Sequence, residues 1–372
     1  MKTIFIMMDS LNRHYLPCYG GSLLQTPNID RLAARGIVFD NHYSGSLPCI
    51  PARREMMTGR YNFLEAPWGP IEPWDECVPS LLRHDAGTYS HMVTDHYHYF
   101  RSGGEGYHTL FDSWELERGQ EGDQWRPLVT PAAPPPKARG KGIIRRAYWA
   151  NRRYLDAEDE ASYSTPRTFQ KAIDFLEANR GAENWHLRVE AFDPHEPFDC
   201  PARYCELYGD DWEGPLFTWP EYAPLDPDKD DERTVAHIRA CYGGTATMAD
   251  AWLGRLLDKL DELELWKDTT VVFTTDHGHL LGEHGYWAKN YMMDYQELVH
   301  IPLIVCPAGR DEGGRRVSAL TGTIDIAPTL LERTGCSRPS TRTAARSAAS
   351  STASTAVITT RCSTATSERT ST

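Results

Sequence analysis

The run TIFIMMDS, residues 3–10, begins as an almost wholly apolar stretch and ends on polar side chains. A short apolar run of this kind is typical of a buried strand whose carboxyl end opens into a loop. Open α/β sheets bind ligands at that end of their strands. The sequence therefore predicts that Asp9 lies at the edge of a functional site.

Helix and strand patterns alternate along the rest of the chain. TPNIDRLAARG, residues 26–36, has a Thr in the N-cap position, a Pro at the first helical position and a closing Gly, which together predict a helix. Further strand-like runs cover residues 90–94, 185–192, 270–275 and 301–306. Strands that alternate with helices favour an α/β fold, with a mainly parallel central sheet sandwiched by helices.

The longest helical pattern covers residues 233–265, where apolar side chains recur near helical spacing. Gly243 and Gly244 lie inside it, and glycine weakens the interior of a helix. We therefore expect a kink at this pair.

The composition is that of a folded, globular protein. The chain has 372 residues, of which 40% are hydrophobic and 24% charged, and a formal net charge of −13, which opposes non-specific binding to nucleic acid. No run approaches the roughly 20 apolar residues of a membrane helix, so we expect no membrane association. The apolar stretch near the N-terminus is too short for a secretory signal, which predicts a cytoplasmic protein.

The nine cysteines are scattered along the chain without CxxC spacing. This pattern predicts neither a zinc site nor a disulfide framework. In a reducing compartment we expect the thiols to remain free.

The sharpest motif is LPCIPARR, residues 47–54, followed by MTGR at residues 57–60. Cys-x-Pro-x-Arg followed by Thr-Gly-Arg resembles the signature of the sulfatase family, in which the cysteine is oxidised after translation to formylglycine. Further blocks that are similar to this family cover residues 26–32, 193–197, 275–285, 295–302 and 325–329. The resemblance implies an alkaline phosphatase-like fold and a metal-dependent sulfuric ester hydrolase.

Two carboxylates and an imidazole that follow separate strands suit a divalent cation. The family usually binds calcium, with manganese and magnesium as alternatives. The metal ligands implied by the resemblance are Asp9, Cys49, Asp276 and His277. The implied catalytic residues are Cys49, Arg53, His98, His195 and Lys289.

Each implied catalytic residue has a role in the family. Hydrated formylglycine at position 49 attacks the sulfur of the ester, and Arg53 holds the hydrate. His98 matches the histidine that accepts a proton from the hydrate, a role that suits a pKa near neutrality. His195 and Lys289 match residues that bind the sulfate and the departing oxygen. The implied partners are an anionic sulfate ester, with carbohydrate sulfates among the candidates, and a formylglycine-generating maturation enzyme.

The sequence departs from the family pattern at several places. Ser10 follows Asp9 where a second aspartate is usual, and His277 replaces the commoner asparagine, as in phosphonate monoester hydrolases of the same superfamily. His96 and His98 stand in a motif that usually reads Gly-Lys-x-His. Three functions therefore stay open: a sulfatase, a phosphonate monoester or phosphodiester hydrolase built on the same site, and an inactive, binding-only relative.

We expect a catalytic domain at residues 1–336 that contains an insertion or lid at residues 131–153. Basic side chains in that insertion form either a solvated face or a rim that steers anions. Residues 337–372 consist mainly of Ser, Thr, Ala and Arg, which predicts a disordered tail or a frame change. We therefore expect the small C-terminal subdomain of the family to be missing.

Aromatic side chains are candidates for a wall that stacks on sugar rings, with burial in the core as the alternative. These residues are Tyr61, Trp68, Trp74 and Trp114. Three further histidines match no family block, and we expect structural roles for them. They are His91, His279 and His284.

Overall fold

Strand β1 (Lys2–Met8) lies near the middle of the central sheet, and all its residues are buried. The computed structural model describes residues 1–130, 133–334 and 336. β1 pairs in parallel with β5 (Trp185–Ala191) on one side and with β6 (Thr269–Thr274) on the other. The predicted buried strand is confirmed, and Asp9 follows it directly.

Further strands extend this sheet to both edges. Their bounds are β2 Ile37–Tyr43, β3 Tyr89–Thr94, β4 Ser113–Leu116, β9 His300–Ile301, β10 Leu303–Cys306 and β11 Arg315–Gly322. The order is β11-β2-β10-β6-β1-β5-β3-β4, with β9 paired to β2. β10 runs antiparallel to both of its neighbours, whereas every pair from β6 to β4 is parallel. A separate hairpin is formed by β7 (Leu280–Leu281) and β8 (Trp287–Ala288).

The predicted strands agree with the structure except at the sheet's outer part. The run at residues 301–306 is divided, because Pro302 lacks the N–H that a continuous strand would need there. The sequence patterns did not predict β2, β4 or β11, nor the strands β7 and β8 of the separate hairpin. β2 ends in polar residues and β4 is half-buried, so neither has the continuous apolar run of a central strand.

Helices cover both faces of the sheet. Their bounds are α1 Pro27–Arg35, α2 Cys49–Thr58, α3 Val78–Ala86, α4 Arg146–Arg152, α5 Ser164–Ala178, α6 Ala202–Glu206, α7 Glu232–Glu262, α8 Gln296–Val299 and α9 Ile326–Thr334. Ile4 and Ile6 of β1 pack in a core with α1, α5 and α7, whereas Phe5 and Met7 pack in a second core with α2, α3 and α9. The predicted α/β sandwich is therefore confirmed.

Two details of the helices differ from the predictions. Thr26 stands in the N-cap position of α1, but its side chain makes no capping hydrogen bond. The predicted kink in α7 is wrong, because this helix is continuous through Gly243 and Gly244. A Cβ at Gly243 would lie 2.6 Å from the Tyr208 ring, and one at Gly244 would lie 2.8 Å from Cys200 Sγ. The two glycines let a neighbouring segment pack against the helix backbone.

The proposed insertion, as described from residue 133 to 153, packs against the loops that follow β5. Arg139 pairs with Asp230, and Arg152 pairs with Asp199. The expectations for residues 131–132 and 337–372 lie outside the described residues. Within the described part of the chain, no helix combines the length and apolar character needed to cross a membrane.

Candidate active site

Four potential metal ligands meet at the carboxyl edge of the sheet. Asp9 follows β1, Asp276 and His277 follow β6, and Cys49 begins α2. One ligand atom from each of these four residues lies within 4.8 Å of the other three, and all four side chains are buried. The structure thus brings together the complete set of metal ligands that the sequence suggested.

Cys49 lies directly against the imidazole of His277. Its Sγ is 3.4 Å from His277 Nε2, and His277 Nδ1 is 2.8 Å from the carbonyl oxygen of Gly278. Because that carbonyl can only accept, the neutral imidazole carries its proton on Nδ1 and keeps an electron pair on Nε2. Burial and the nearby charge of Asp9 raise the pKa of the Cys49 thiol well above its usual value.

Arg53 lies one helical turn after Cys49 and is completely buried. Its guanidinium donates to Asp276 at 2.5 Å and to Asp9 at 2.8 Å, and it also contacts a third carboxylate, Glu190, at 3.2 Å. A buried guanidinium is stable only when such partners replace its hydration. Arg53 therefore fixes the positions of both carboxylates and offsets part of their charge.

Lys289 reaches the same cluster through Ser10. The lysine Nζ donates to Ser10 Oγ at 2.8 Å, and that hydroxyl donates in turn to Asp9 at 2.8 Å. Burial alone would raise the pKa of Asp9, but the charges of Arg53 and Lys289, together with the hydrogen bond from Ser10, outweigh it and lower this pKa to about 2. Asp9 is thus a carboxylate throughout the physiological pH range.

His195 is buried and His98 is half-buried beside this cluster, at the ends of neighbouring strands. Neither has a direct contact with Cys49 among the described contacts. Burial, aided by the charge of Arg101, lowers the pKa of His98 to about 3. The expected pKa near neutrality is therefore wrong, and His98 is neutral at physiological pH. Burial also lowers the pKa of His195 to about 3, although Glu196 opposes the change.

Several buried ring nitrogens near this edge lack a hydrogen-bond partner among the described residues. They are both nitrogens of His96 and Nδ1 of His98. The His96 ring packs between Phe192 and Tyr99, with centroids 5.0 and 4.8 Å away. Buried polar atoms are nearly always paired, so a bound ligand is a natural source of the missing hydrogen bonds.

The sequence analysis missed two buried glutamates. Glu190, on β5, accepts hydrogen bonds from Tyr99 at 2.9 Å and from Arg53. Glu196 accepts a hydrogen bond from Tyr222 and lies 3.1 Å from Nε2 of His279. Glu190 could have been found in the sequence, because it is a charged residue inside the otherwise apolar strand β5. His279 thus supports Glu196, in line with the structural role expected of it.

Three of the aromatic candidates pack against other rings. Trp68 is 39% exposed, and its ring centroid lies 5.5 Å from that of His98. Tyr61 packs on Phe63, and Trp114 packs on Phe100 and His108. Trp68 is therefore the member of this set that contacts a predicted site residue.

The donor set fits a divalent cation. Two carboxylates and the unprotonated Nε2 of His277 are fixed within one buried cluster, and oxygen-rich sets with one imidazole suit calcium, manganese or magnesium. The thiol of Cys49 is a softer donor, and it marks the place where formylglycine would present oxygen atoms instead.

Comparisons with known proteins identify the family of this chain. A family model described as Sulfatase matches residues 2–336. The chain is 28% identical to the uncharacterized sulfatase YidJ of Escherichia coli (strain K12), over 90% of this chain and 68% of that protein. It is 26% identical to N-acetylglucosamine-6-O-sulfatase of Bacteroides thetaiotaomicron, over 91% of this chain and 68% of that protein.

Among solved structures, the chain is similar to the phosphonate monoester hydrolase of Agrobacterium radiobacter. The TM-score is 0.71 at 21% sequence identity, and the match covers 90% of this chain and 74% of the other. This likeness shows a shared fold.

Proposed function

Because the chain belongs to the sulfatase family and is a sulfuric ester hydrolase, we propose that it cleaves sulfate monoesters with formylglycine made from Cys49 and with a bound divalent cation. The observation that carries this proposal is the buried cluster of Asp9, Cys49, Asp276 and His277 within 4.8 Å. A maturation enzyme would have to oxidise Cys49. The cytoplasmic location remains a prediction.

Asp9, Asp276 and His277 would hold the cation, together with an oxygen in the place of Cys49 Sγ. When bound, such a cation lowers the pKa of a coordinated hydroxyl and offsets the charge of the ester. Arg53 keeps both carboxylates in position through the hydrogen bonds described above. Its charge also favours the binding of an anionic substrate.

The remaining residues bind the ester and move protons. Lys289 is a buried cation beside Cys49 and Asp9, and we assign it to the departing oxygen. His98 is neutral, so its unpaired Nδ1 is available to accept a proton from the nucleophile. His96 offers an N–H to an oxygen of the ester. His195, whose Nδ1 lies 2.6 Å from the Glu196 carbonyl oxygen, would line the sulfate site.

A sulfated carbohydrate is the substrate class that we favour. The relative from Bacteroides thetaiotaomicron is named for a sulfated amino sugar, and Trp68 offers a half-exposed ring next to His98.

We also propose that the described residues 133–153 form a lid. In support, Lys141 Nζ lies 3.7 Å from the ring centroid of Tyr222, and that tyrosine donates to Glu196.

Hydrolysis of phosphonate monoesters is the second candidate function. Ser10 contributes a neutral hydroxyl where a second aspartate is usual, so the metal-binding cluster has one negative charge fewer. His277 stands where asparagine is commoner in the family, as in phosphonate monoester hydrolases, and a solved hydrolase of that kind shares the fold.

A substrate panel tests these alternatives. Protein made with a maturation enzyme would be assayed on para-nitrophenyl sulfate, a para-nitrophenyl phosphonate monoester and a phosphodiester, with Cys49→Ala as the control. We expect the highest kcat/KM on the sulfate ester. A higher kcat/KM on the phosphonate would favour the second candidate. If Cys49 is converted to formylglycine but no substrate is turned over, the chain would be an inactive, binding-only relative.

A further inference from the structure

A second cluster of metal-binding side chains lies outside the candidate active site. It combines two local pairs, Cys200-x4-Cys205 and His237-x3-Cys241. Cys205 lies on the short helix α6, and Cys200 precedes that helix by two residues. His237 and Cys241 lie four residues apart on α7, so they share one face of it. Packing of α6 on α7 brings the two pairs together.

Two distances within this cluster are close to those between ligands of a tetrahedral metal. Cys200 Sγ lies 3.6 Å from Cys205 Sγ, and Cys241 Sγ lies 3.7 Å from the nearest ring nitrogens of His237. Cys205 also lies close enough to Cys241 to raise the pKa of the Cys241 thiol. Zinc bonds of about 2.3 Å to sulfur and about 2.0 Å to nitrogen separate tetrahedral ligands by about 3.5 to 3.8 Å.

His237 is held as metal-ligating histidines usually are. Its Nδ1 lies 3.0 and 3.1 Å from the two carboxylate oxygens of Asp210, which accept a hydrogen bond from the Nδ1–H. The ring of Trp212 stacks on the imidazole, with centroids 4.7 Å apart. A carboxylate on one nitrogen fixes the tautomer and leaves the other nitrogen, Nε2, as a ligand.

The helix backbone leaves room for the thiols. A Cβ at Gly244 would lie 2.8 Å from Cys200 Sγ and 3.1 Å from Cys205 Sγ. Cys241 and His237 are buried, whereas Cys200 and Cys205 are half-buried and provide a route of entry from solvent. Three thiols and one imidazole form a donor set that is typical of structural zinc sites.

We propose that Cys200, Cys205, His237 and Cys241 bind one zinc ion, which joins α6 to α7. Each ligating thiol would lose its proton to solvent when the ion binds. The site is structural, because all four coordination positions are filled by protein. It lies at the end of the loop that follows β5 and contains His195, so the ion would also hold that loop against the helical layer.

Metal analysis of the purified chain tests this proposal. We expect about one zinc ion per chain, retained in Asp276→Ala and lost in Cys205→Ser and in Cys241→Ser. Cys18→Ser, a half-buried cysteine elsewhere, is the matched control and should keep its zinc. Equal zinc content in all these variants, or no zinc in the parent protein, would overturn the proposal.

Cobalt substitution gives a second test that does not depend on the folding of a variant. Zinc would be removed from the parent protein by a chelator and replaced by Co²⁺. We expect thiolate-to-cobalt charge-transfer absorption and the visible bands of tetrahedral cobalt. Octahedral cobalt bands without charge transfer, or a Cys200–Cys205 disulfide found in a non-reduced digest, would contradict the zinc site.

Discussion

The two buried clusters of this chain differ in the hardness of their donors. The first, at the sheet edge, presents the carboxylates of Asp9 and Asp276 with one imidazole. The second, between α6 and α7, presents thiols with one imidazole. Hard oxygen donors favour calcium or magnesium, and soft sulfur donors favour zinc. The chain thus has two separate sites for cations, and the ligands of each site favour a different ion.

The clusters also differ in how their charge is balanced. Arg53 bonds two carboxylates of the first cluster, and Lys289 reaches it through Ser10. Such cations suit a site that must also accept an anionic substrate. In the second cluster the polar partner of His237 is a carboxylate, Asp210. The first cluster is therefore built for binding and chemistry, and the second for structure.

Replacing one cysteine in each cluster gives the largest expected contrast. Cys49 and Cys241 are both 3% exposed. We expect Cys49→Ala to lower kcat on aryl sulfate by at least about a thousandfold with the fold intact, because the nucleophile is lost. Circular dichroism would check the fold, and Cys241→Ala should keep kcat within about tenfold while it loses zinc. Activity of Cys49→Ala within about tenfold of the parent would contradict the assigned nucleophile.

Replacing Asp276 should remove the metal of the first cluster and leave the zinc of the second cluster in place. Asp276→Ala deletes a ligand of the first cluster and one partner of Arg53. We expect kcat/KM to fall by about a hundredfold or more, with calcium content lost and zinc content unchanged. Elemental analysis and kinetics on the same sample would measure both. If both metals were lost together, the clusters would not be independent.

Lys289→Met tests the role of the lysine side chain that contacts the first cluster through Ser10. This change keeps the length of the side chain but removes the donor to Ser10. If Lys289 assists the departing oxygen, kcat should fall about tenfold to a hundredfold, and further for alkyl than for aryl sulfates. The exposed Lys267→Met is the control. An equal loss for both leaving groups would assign Lys289 to substrate binding instead.

The pH dependence of stability gives the smallest effect. The pKa of Asp9 is about 2, below the usual 3.8, so its ion pairs stabilise the fold above pH 4 and are lost as pH falls from about 4 to 2. This shift corresponds to about 2 kcal/mol. Denaturant unfolding in a chelator should therefore show a weaker dependence on pH in Asp9→Asn than in the parent. An unchanged dependence would contradict the role of Asp9.

The first cluster could be predicted from sequence because each part of it is locally encoded. Asp9 and Asp276 follow apolar runs whose ends are visible, and Cys49 and Arg53 share one short motif. The helical layers and the parallel centre of the sheet follow from the same periodicities. The edge strands were missed because their side chains lack a continuous apolar pattern.

Other features depend on packing between distant segments. The pKa of His98 is set by burial and Arg101, which no sequence pattern reveals. The sequence analysis predicted no zinc site, because Cys200 and Cys241 lie far apart in the chain and lack CxxC spacing. The structure brings them to one place because Gly243 and Gly244 let residues 200–208 pack on α7.

The central claim is that Cys49 becomes the aldehyde that serves as nucleophile at the first cluster. Mass spectrometry of the peptide that contains Cys49, from protein made with a maturation enzyme, tests it most directly. The account predicts a peptide lighter by about 18 Da than the thiol form, with the Cys241 peptide unmodified. An active enzyme whose Cys49 peptide retains the thiol mass would contradict it.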